Sequence, residues 1–201
     1  MPRWFCSLLL AIPLGALADA SVMTRVLKER PVPSQFSFCW GGTCAEVLQV
    51  SLSEAEWGEV RELFDDAGPQ DADAERELIP QAIALLERLV GPKTGTDGDR
   101  AGTYGNSEFP GQLDCNDETT NTSSYLRMMI DDGLIRFHRV LDTTTRGFLI
   151  FGRHSTAVIE DTGSGERFAV DAWFYDNGQP AVVLPLAVWH AGWKPGDSAA
   201  H

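Results

Sequence analysis

The sequence predicts an α+β domain in which N-terminal helices pack on an antiparallel sheet. Three observations predict it. Apolar residues recur at helical spacing between Ser53 and Val90. After Gly133 the pattern changes to short strand-like runs. Asp161-Thr162-Gly163-Ser164-Gly165 stands between two of those runs as a turn. Helices first and an antiparallel sheet after them make the layered arrangement of an α+β domain.

Residues 1–20 have the form of a secretory signal peptide. Arg3 supplies a positive start, Trp4 to Leu17 is almost wholly apolar, and Ala16-Leu17-Ala18 or Ala18-Asp19-Ala20 offers small residues for cleavage. The apolar run falls short of the ~20 residues that span a bilayer and is broken by Pro13 and Gly15. Cys6 lies near the start of that run instead of at its end, which argues against a lipoprotein. The expected product is one domain over residues 21–201, periplasmic or secreted, with no integral membrane segment after cleavage. Asp and Glu outnumber Lys and Arg by 29 to 16. That balance argues against nucleic acid or an anionic membrane surface as a partner.

Phe36 to Trp40 and Glu46 to Leu52 read as short strands around the loop Trp40-Gly41-Gly42-Thr43. Ser53 opens a helix, with Glu56 three residues on completing a capping box. Trp57, Val60 and Phe64 follow at helical spacing, and Gly68-Pro69 is the expected stop. A second helix is expected from about Asp73 to Val90. Leu78, Ala82, Leu85 and Leu89 form its stripe, and Ile79, Ile83, Leu86 and Val90 widen it. Pro80 should kink or restart it, and Gly91-Pro92 should end it.

Residues 93–114 are rich in Gly, Asp, Thr and Asn, the composition of a long functional loop. Asp97-Gly98-Asp99 has the start of a calcium loop but lacks the further acidic positions of a twelve-residue one. A third helix is expected over 116–132, closed by Gly133, with Tyr125, Met128 and Met129 on its apolar side. Strands are expected at Leu134 to Leu141, Phe148 to Phe151, His154 to Glu160, Arg167 to Phe174 and Ala181 to Leu184.

Cys6 leaves with the signal peptide. Cys39 and Cys44 bracket a flexible loop that can close as a short disulfide in an oxidising compartment. Cys115 is then the thiol left over, which in an exported chain needs an explanation. It stands at the junction of a Gly-rich loop and a helix start. There, free N–H groups and the helix dipole lower a thiol pKa and can hold an oxyanion. Across the hairpin, with Asp161 to Ser164 as its loop, Glu160 faces Gly165 and His154 faces Asp171; a register slipped by one makes them offset neighbours on opposite faces. A carboxylate beside an imidazole fixes its tautomer and supports its charge, so Cys115, His154 and Asp171 can fill the roles of nucleophile, base and orienter. Taken singly, each residue has a plainer explanation: an inert buried thiol, a packed strand histidine, a turn carboxylate. Gln112 and Asn106 precede the cysteine and are candidates for an amide donor in an oxyanion hole. His138 is expected to be a surface or sheet residue. No Cys-x-x-Cys or His-x-x-x-His spacing supports zinc.

Asp114-Cys115-Asn116-Asp117-Glu118 before a helix, then His154-Ser155-Thr156-Ala157-Val158 and Ala169-Val170-Asp171-Ala172-Trp173, resemble the bacterial transglutaminase-like cysteine peptidases. The resemblance covers roughly Gly111 to Phe174. It implies a papain-like architecture with Cys115 as nucleophile, His154 as general base and acid, and Asp171 as orienter. Family members carry a small aliphatic run soon after the cysteine, where this chain has Thr119-Thr120-Asn121-Thr122. No cofactor is expected beyond calcium, which some relatives need and for which Asp117 and Glu118 are the local candidates. The function expected is a thiol hydrolase of peptide or amide bonds in a peptide or protein substrate, with transamidation equally open through the same acyl-thioester. The alternative is a non-catalytic periplasmic binding or assembly module.

Overall fold

The computed structural model describes residues 22–64, 68–103, 108–148 and 151–197. The expected signal peptide lies outside them. Among the described residues, no helix is long and apolar enough to cross a membrane.

A short helical segment at 22–26 precedes a two-stranded antiparallel sheet, β1 (Phe36–Trp40) and β2 (Glu46–Val50). Helices α1 (Glu54–Glu62), α2 (Ala72–Thr94) and α3 (Cys115–Asp131) follow. Next come β3 (His138–Val140), β4 (Thr144–Phe148), β5 (Phe151–Asp161), β6 (Arg167–Asp171) and β7 (Val182–Pro185), then the short helix α4 (Leu186–His190). The main sheet has the order β3-β5-β6-β7, with β4 paired to β5, and all its pairings are antiparallel. The α+β class is therefore as the sequence predicts.

Helix α1 begins with the capping box read from Ser53 and Glu56, but it ends at Glu62, ahead of Gly68-Pro69. Helix α2 departs further. It runs through both Pro80 and Pro92 and stops at Gly95, whose φ of 76° suits glycine. A proline forfeits one backbone bond, and here packed neighbours on both sides outweigh that loss. Ile79, Ala82 and Ile83 are buried around the first proline, and Val90 and Gly91 around the second.

The buried stripe of α2 is also rotated from the expected one. Ile79, Ala82, Ile83, Leu86 and Val90 are buried in the main core, while Leu78, Leu85 and Leu89 pack at its edge. Two buried carboxylates, Glu75 and Glu87, share the inward face. Leu86→Ala should therefore cost about 2–5 kcal/mol of unfolding free energy, and Leu85→Ala clearly less. Urea titrations of the two variants measure the difference.

Helix α3 carries the polar run Thr119 to Ser124 into the interior, where every one of these residues is buried. Three hydroxyls donate back to carbonyls of the same helix: Thr120 to Asn116 (2.7 Å), Ser123 to Thr119 (2.7 Å) and Ser124 to Thr120 (3.2 Å). Asn121 accepts from the Cys39 N–H (2.8 Å) and donates to the Cys39 carbonyl (2.9 Å). Small side chains whose polar atoms bond locally let a buried helix approach its neighbours closely. Tyr125, Met128 and Met129 complete the apolar side as expected.

Between β5 and β6 the register differs from the one counted on the sequence. Glu160 pairs with Arg167 and Ala157 with Val170. The loop lies one residue later than expected, because Asp161 closes against Glu166 and caps the turn with its side chain on Gly163 N–H (2.8 Å). His154 consequently does not face Asp171 but sits diagonally from it, offset by two residues. An offset of two keeps both side chains on one face of the sheet.

Candidate active site

Asp171, at the end of β6, accepts two hydrogen bonds on the same oxygen. His154 Nε2 lies 2.6 Å and Trp189 Nε1 2.7 Å from Asp171 Oδ2. A carboxylate oxygen accepts only, so Nε2 carries a hydrogen. Nδ1 is buried and has no hydrogen-bond partner. The ring is held among aromatic neighbours: Trp173 at 4.6 Å, Phe174 at 5.0 Å and Trp189 at 5.5 Å between centroids. Arg146 on β4 fastens the segment that carries Trp189, donating to the Trp189 carbonyl and to the Trp193 carbonyl (2.9 Å).

Cys115 is the first residue of α3 and the free cysteine among the described residues. Two contacts join this helix start to the strand bearing His154. Ser155 Oγ donates to Asn116 Oδ1 (2.9 Å), and the Ser155 backbone hydrogen-bonds the Cys115 sulfur. The sequence pattern pointed to a lowered thiol pKa, and the structure reverses that. Burial, with smaller contributions from the charges of Asp114 and Asp171, pushes Cys115 up to about 11. The helix N-terminus gives little help because its donors are already occupied. Asp114 Oδ1 accepts from the N–H groups of Asn116 and Asp117 (2.9 Å each), and the Asp114 carbonyl accepts from Glu118.

The expected disulfide is present between Cys39 and Cys44. Its loop is clamped to the start of α3 by the two acidic side chains that flank Cys115. Asp114 Oδ2 accepts from Thr43 N–H (2.7 Å), and Asp117 accepts from Gly42 (2.8 Å) and Cys44 (2.6 Å). Thr43 and Cys44 both have positive φ, 53° and 57°, so the loop is held in a conformation that side chains disfavour. Closing a loop this short stabilises by about 2 kcal/mol in the chain-entropy account. Cys39→Ser/Cys44→Ser should lose about that much stability. Urea unfolding of the double variant checks the expectation.

Gln112 is not placed as an oxyanion donor. Its side-chain N–H groups go to the carbonyls of Gly98 (3.0 Å) and Pro110 (3.2 Å), and its oxygen accepts from Arg100 N–H (3.1 Å), so it braces the loop ahead of the cysteine. Asn106 lies outside the described residues. The calcium candidates are engaged elsewhere. Asp97 is exposed while Asp99 is buried and accepts from Leu113 N–H (2.8 Å), Asp117 accepts backbone N–H groups, and Glu118 is hydrogen-bonded to Asp99. Among the described residues no cluster of three His, Cys, Asp or Glu side chains could hold a metal ion.

His138 is a sheet residue, on β3, but not a surface one: it is 3% exposed. Its Nε2 lies 3.0 Å from Arg76 Nη1 and therefore accepts, which leaves Nδ1–H to donate to Glu75 Oε1 at 2.7 Å. Glu75 also accepts from the backbone N–H groups of Arg136 (2.6 Å) and Phe137 (3.0 Å). Both nitrogens of this histidine are occupied, in contrast to those of His154.

Sequence reasoning missed Trp189, Trp173, Asn116, Ser155 and Arg146. The link of Trp189 to Asp171 depends on the pairing of β7 with β6, which brings Val182 opposite Asp171. No protein-family model, curated protein or solved structure matches the chain.

Proposed function

We propose that the chain is an exported thiol hydrolase of peptide or amide bonds, of the transglutaminase-like kind, acting through Cys115, His154 and Asp171. One observation carries this reading above the others. His154 is oriented by a carboxylate on one nitrogen, while the other is buried, unpartnered and ready to accept a proton. A histidine kept for packing alone would have both nitrogens satisfied, as His138 does.

In this mechanism Cys115 rests as a thiol. As the sulfur attacks a carbonyl carbon, its proton passes to His154 Nδ1, and Asp171 supports the imidazolium through Nε2–H. The Cys115 N–H, which hydrogen-bonds its own sulfur at rest, is the helix-start donor assigned to the oxyanion, the next three being occupied. The C–N bond then breaks, the leaving nitrogen takes the proton from Nδ1, and the acyl group remains as a thioester. Water or a second amine adds to that thioester and gives its proton to Nδ1. The C–S bond breaks, and the proton returns to sulfur.

A burst experiment tests the proposal. Peptide p-nitroanilides mixed with the full chain and quenched in acid should leave an acyl adduct that peptide mapping locates on Cys115. His154→Ala should give none. Absence of any adduct with the unaltered chain, across a panel of peptides, would favour the binding-module reading, to which the buried and protonated thiol already lends some support.

A further inference from the structure

A cleft of roughly 750 Å³ opens on His154, and its lining sets it apart from the rest of the molecule. Arg146, Arg153 and Lys194 contribute three fixed cations, His190 stands beside them, and Trp173 and Phe174 supply aromatic faces. No Asp or Glu lines it among the described residues, although acidic residues outnumber basic ones by 29 to 16 in the whole chain. The three cations come from separate segments: Arg146 from β4, Arg153 from β5 and Lys194 from the turn after α4. The fold has therefore gathered positive charge at one wall of the candidate active site, against the sign of the surface around it.

The three are not equivalent. Arg146 is tied to the carbonyls of Trp189 and Trp193 and lies 4.5 Å over the Trp189 ring, so it is a structural strap that also contributes charge. Arg153 and Lys194 are exposed, and no side-chain partner is seen for either among the described residues. Long cationic side chains at the rim of an aromatic-walled cleft give a charge-assisted grip on an anion, and low-dielectric walls focus the field. Backbone also reaches the surface here. Gly147 has a φ of 92°, and a Cβ on it would come within 2.3 Å of the Gly152 carbonyl oxygen, so two glycines form a close, side-chain-free wall.

We infer that this cleft binds a carboxylate-bearing peptide, with Arg153 and Lys194 taking the carboxylate and Trp173 and Phe174 the adjoining apolar surface. The inference rests on the hydrolase reading for its meaning as a substrate subsite, but the binding itself does not require turnover. An acidic side chain and a free C-terminus present the same chemistry, and the experiment separates them.

The full chain carrying Cys115→Ala, which cannot turn over, is titrated calorimetrically with acetylated, amidated peptides Gly-Gly-X-Ala-Gly-Gly, where X is Glu, Gln or Lys. A fourth peptide has X as Gln and a free C-terminus. The Glu peptide should bind about tenfold more tightly than the Gln peptide, a gap that closes in high salt. Arg153→Gln/Lys194→Gln should remove the gap. Arg25→Gln/Lys28→Gln, which changes net charge equally on a distant exposed surface, should leave it. A preference shown only by the free C-terminus assigns the carboxylate to the chain end and still supports the site. Equal binding of the Glu and Gln peptides with no gain from a free C-terminus would overturn the inference. So would absence of binding by all four, or a preference that survives Arg153→Gln/Lys194→Gln or is lost in the distant control. Failure of the burst experiment, with this preference intact, would remove the hydrolase reading and leave the binding site standing.

Discussion

Cys115→Ala is expected to reduce turnover to background, a loss of at least ~10⁴-fold, while unfolding free energy changes by no more than about 1 kcal/mol. The sulfur is small and buried, with hydrogen bonds from the Ser155 and Cys115 backbones, so its removal costs little packing. Asp171→Asn should be milder, a fall of about a hundredfold. The reason lies in Trp189. Its indole N–H already donates to Asp171 Oδ2, so an amide at this position is held with its oxygen toward both donors. The imidazole tautomer then survives and only the supporting charge is lost. Adding Trp189→Phe frees the amide to turn and should deepen the defect. Steady-state kinetics with a fluorogenic peptide, alongside circular dichroism of each variant, reads out the series. A Cys115→Ala protein with substantial residual turnover would exclude Cys115 as the nucleophile.

Stability should fall as pH rises from about 5 to 9, by an amount on the order of 5 kcal/mol. Glu87, Asp99 and Glu118 lie together in the interior, where burial dominates. It pushes Glu87 up to about 8 and Asp99 up to about 6, and holds Glu118 well above the usual carboxylate range. Burial and the Asp114 charge push Asp117 up to about 7, against the pull of three backbone N–H groups. Each folded value lies above the unfolded one, so between them the native state holds protons that the unfolded state releases. The slope of stability against pH is therefore negative across that window, and the stabilisation present below about pH 4 is lost as pH climbs through the folded values. Surface groups act oppositely at the acid end. Lys93 holds Glu56 down at about 2, so its contribution disappears only as the solution becomes strongly acidic. Urea midpoints measured from pH 4 to 9 should be highest at the acid end of that range, and Glu118→Gln should flatten the alkaline side. A flat profile would mean that the interior carboxylates are ionised in the native protein.

The helices were legible where a local rule governs them. Ser53 and Glu56 are enough to place the start of α1, since a capping box involves only four consecutive residues. The end of α2 was not legible, because prolines at 80 and 92 are tolerated through contacts that the local sequence does not show. The inward face of α2 was misjudged for a similar reason. Leucines at 78, 85 and 89 look like the stripe, but Ile79, Ile83 and Leu86 enter the core, a choice set by packing against other elements. At the candidate site, residue types and chain order pointed to Cys115, His154 and Asp171; the last two share a face and a hydrogen bond despite the shifted register, whereas no hydrogen bond joins Cys115 to His154. The thiol's protonation was not legible because burial, which raises it most, depends on tertiary packing that the residues around Cys115 do not show. Trp189 could not be assigned a role, since it meets Asp171 only through the placement of a strand that carries no motif of its own.

The hydrogen bond from Ser155 to Asn116 and the strap from Arg146 to Trp189 and Trp193 also bear on timing. The proposed nucleophile belongs to the helical half of the chain, the base to a strand some forty residues on, and the partner that steadies Asp171 to the last short helix. During synthesis no early fragment contains all of these pieces. On the proposed reading, an incompletely folded chain is expected to be chemically silent, and the onset of turnover in a refolding assay should report the last event of assembly, not the first.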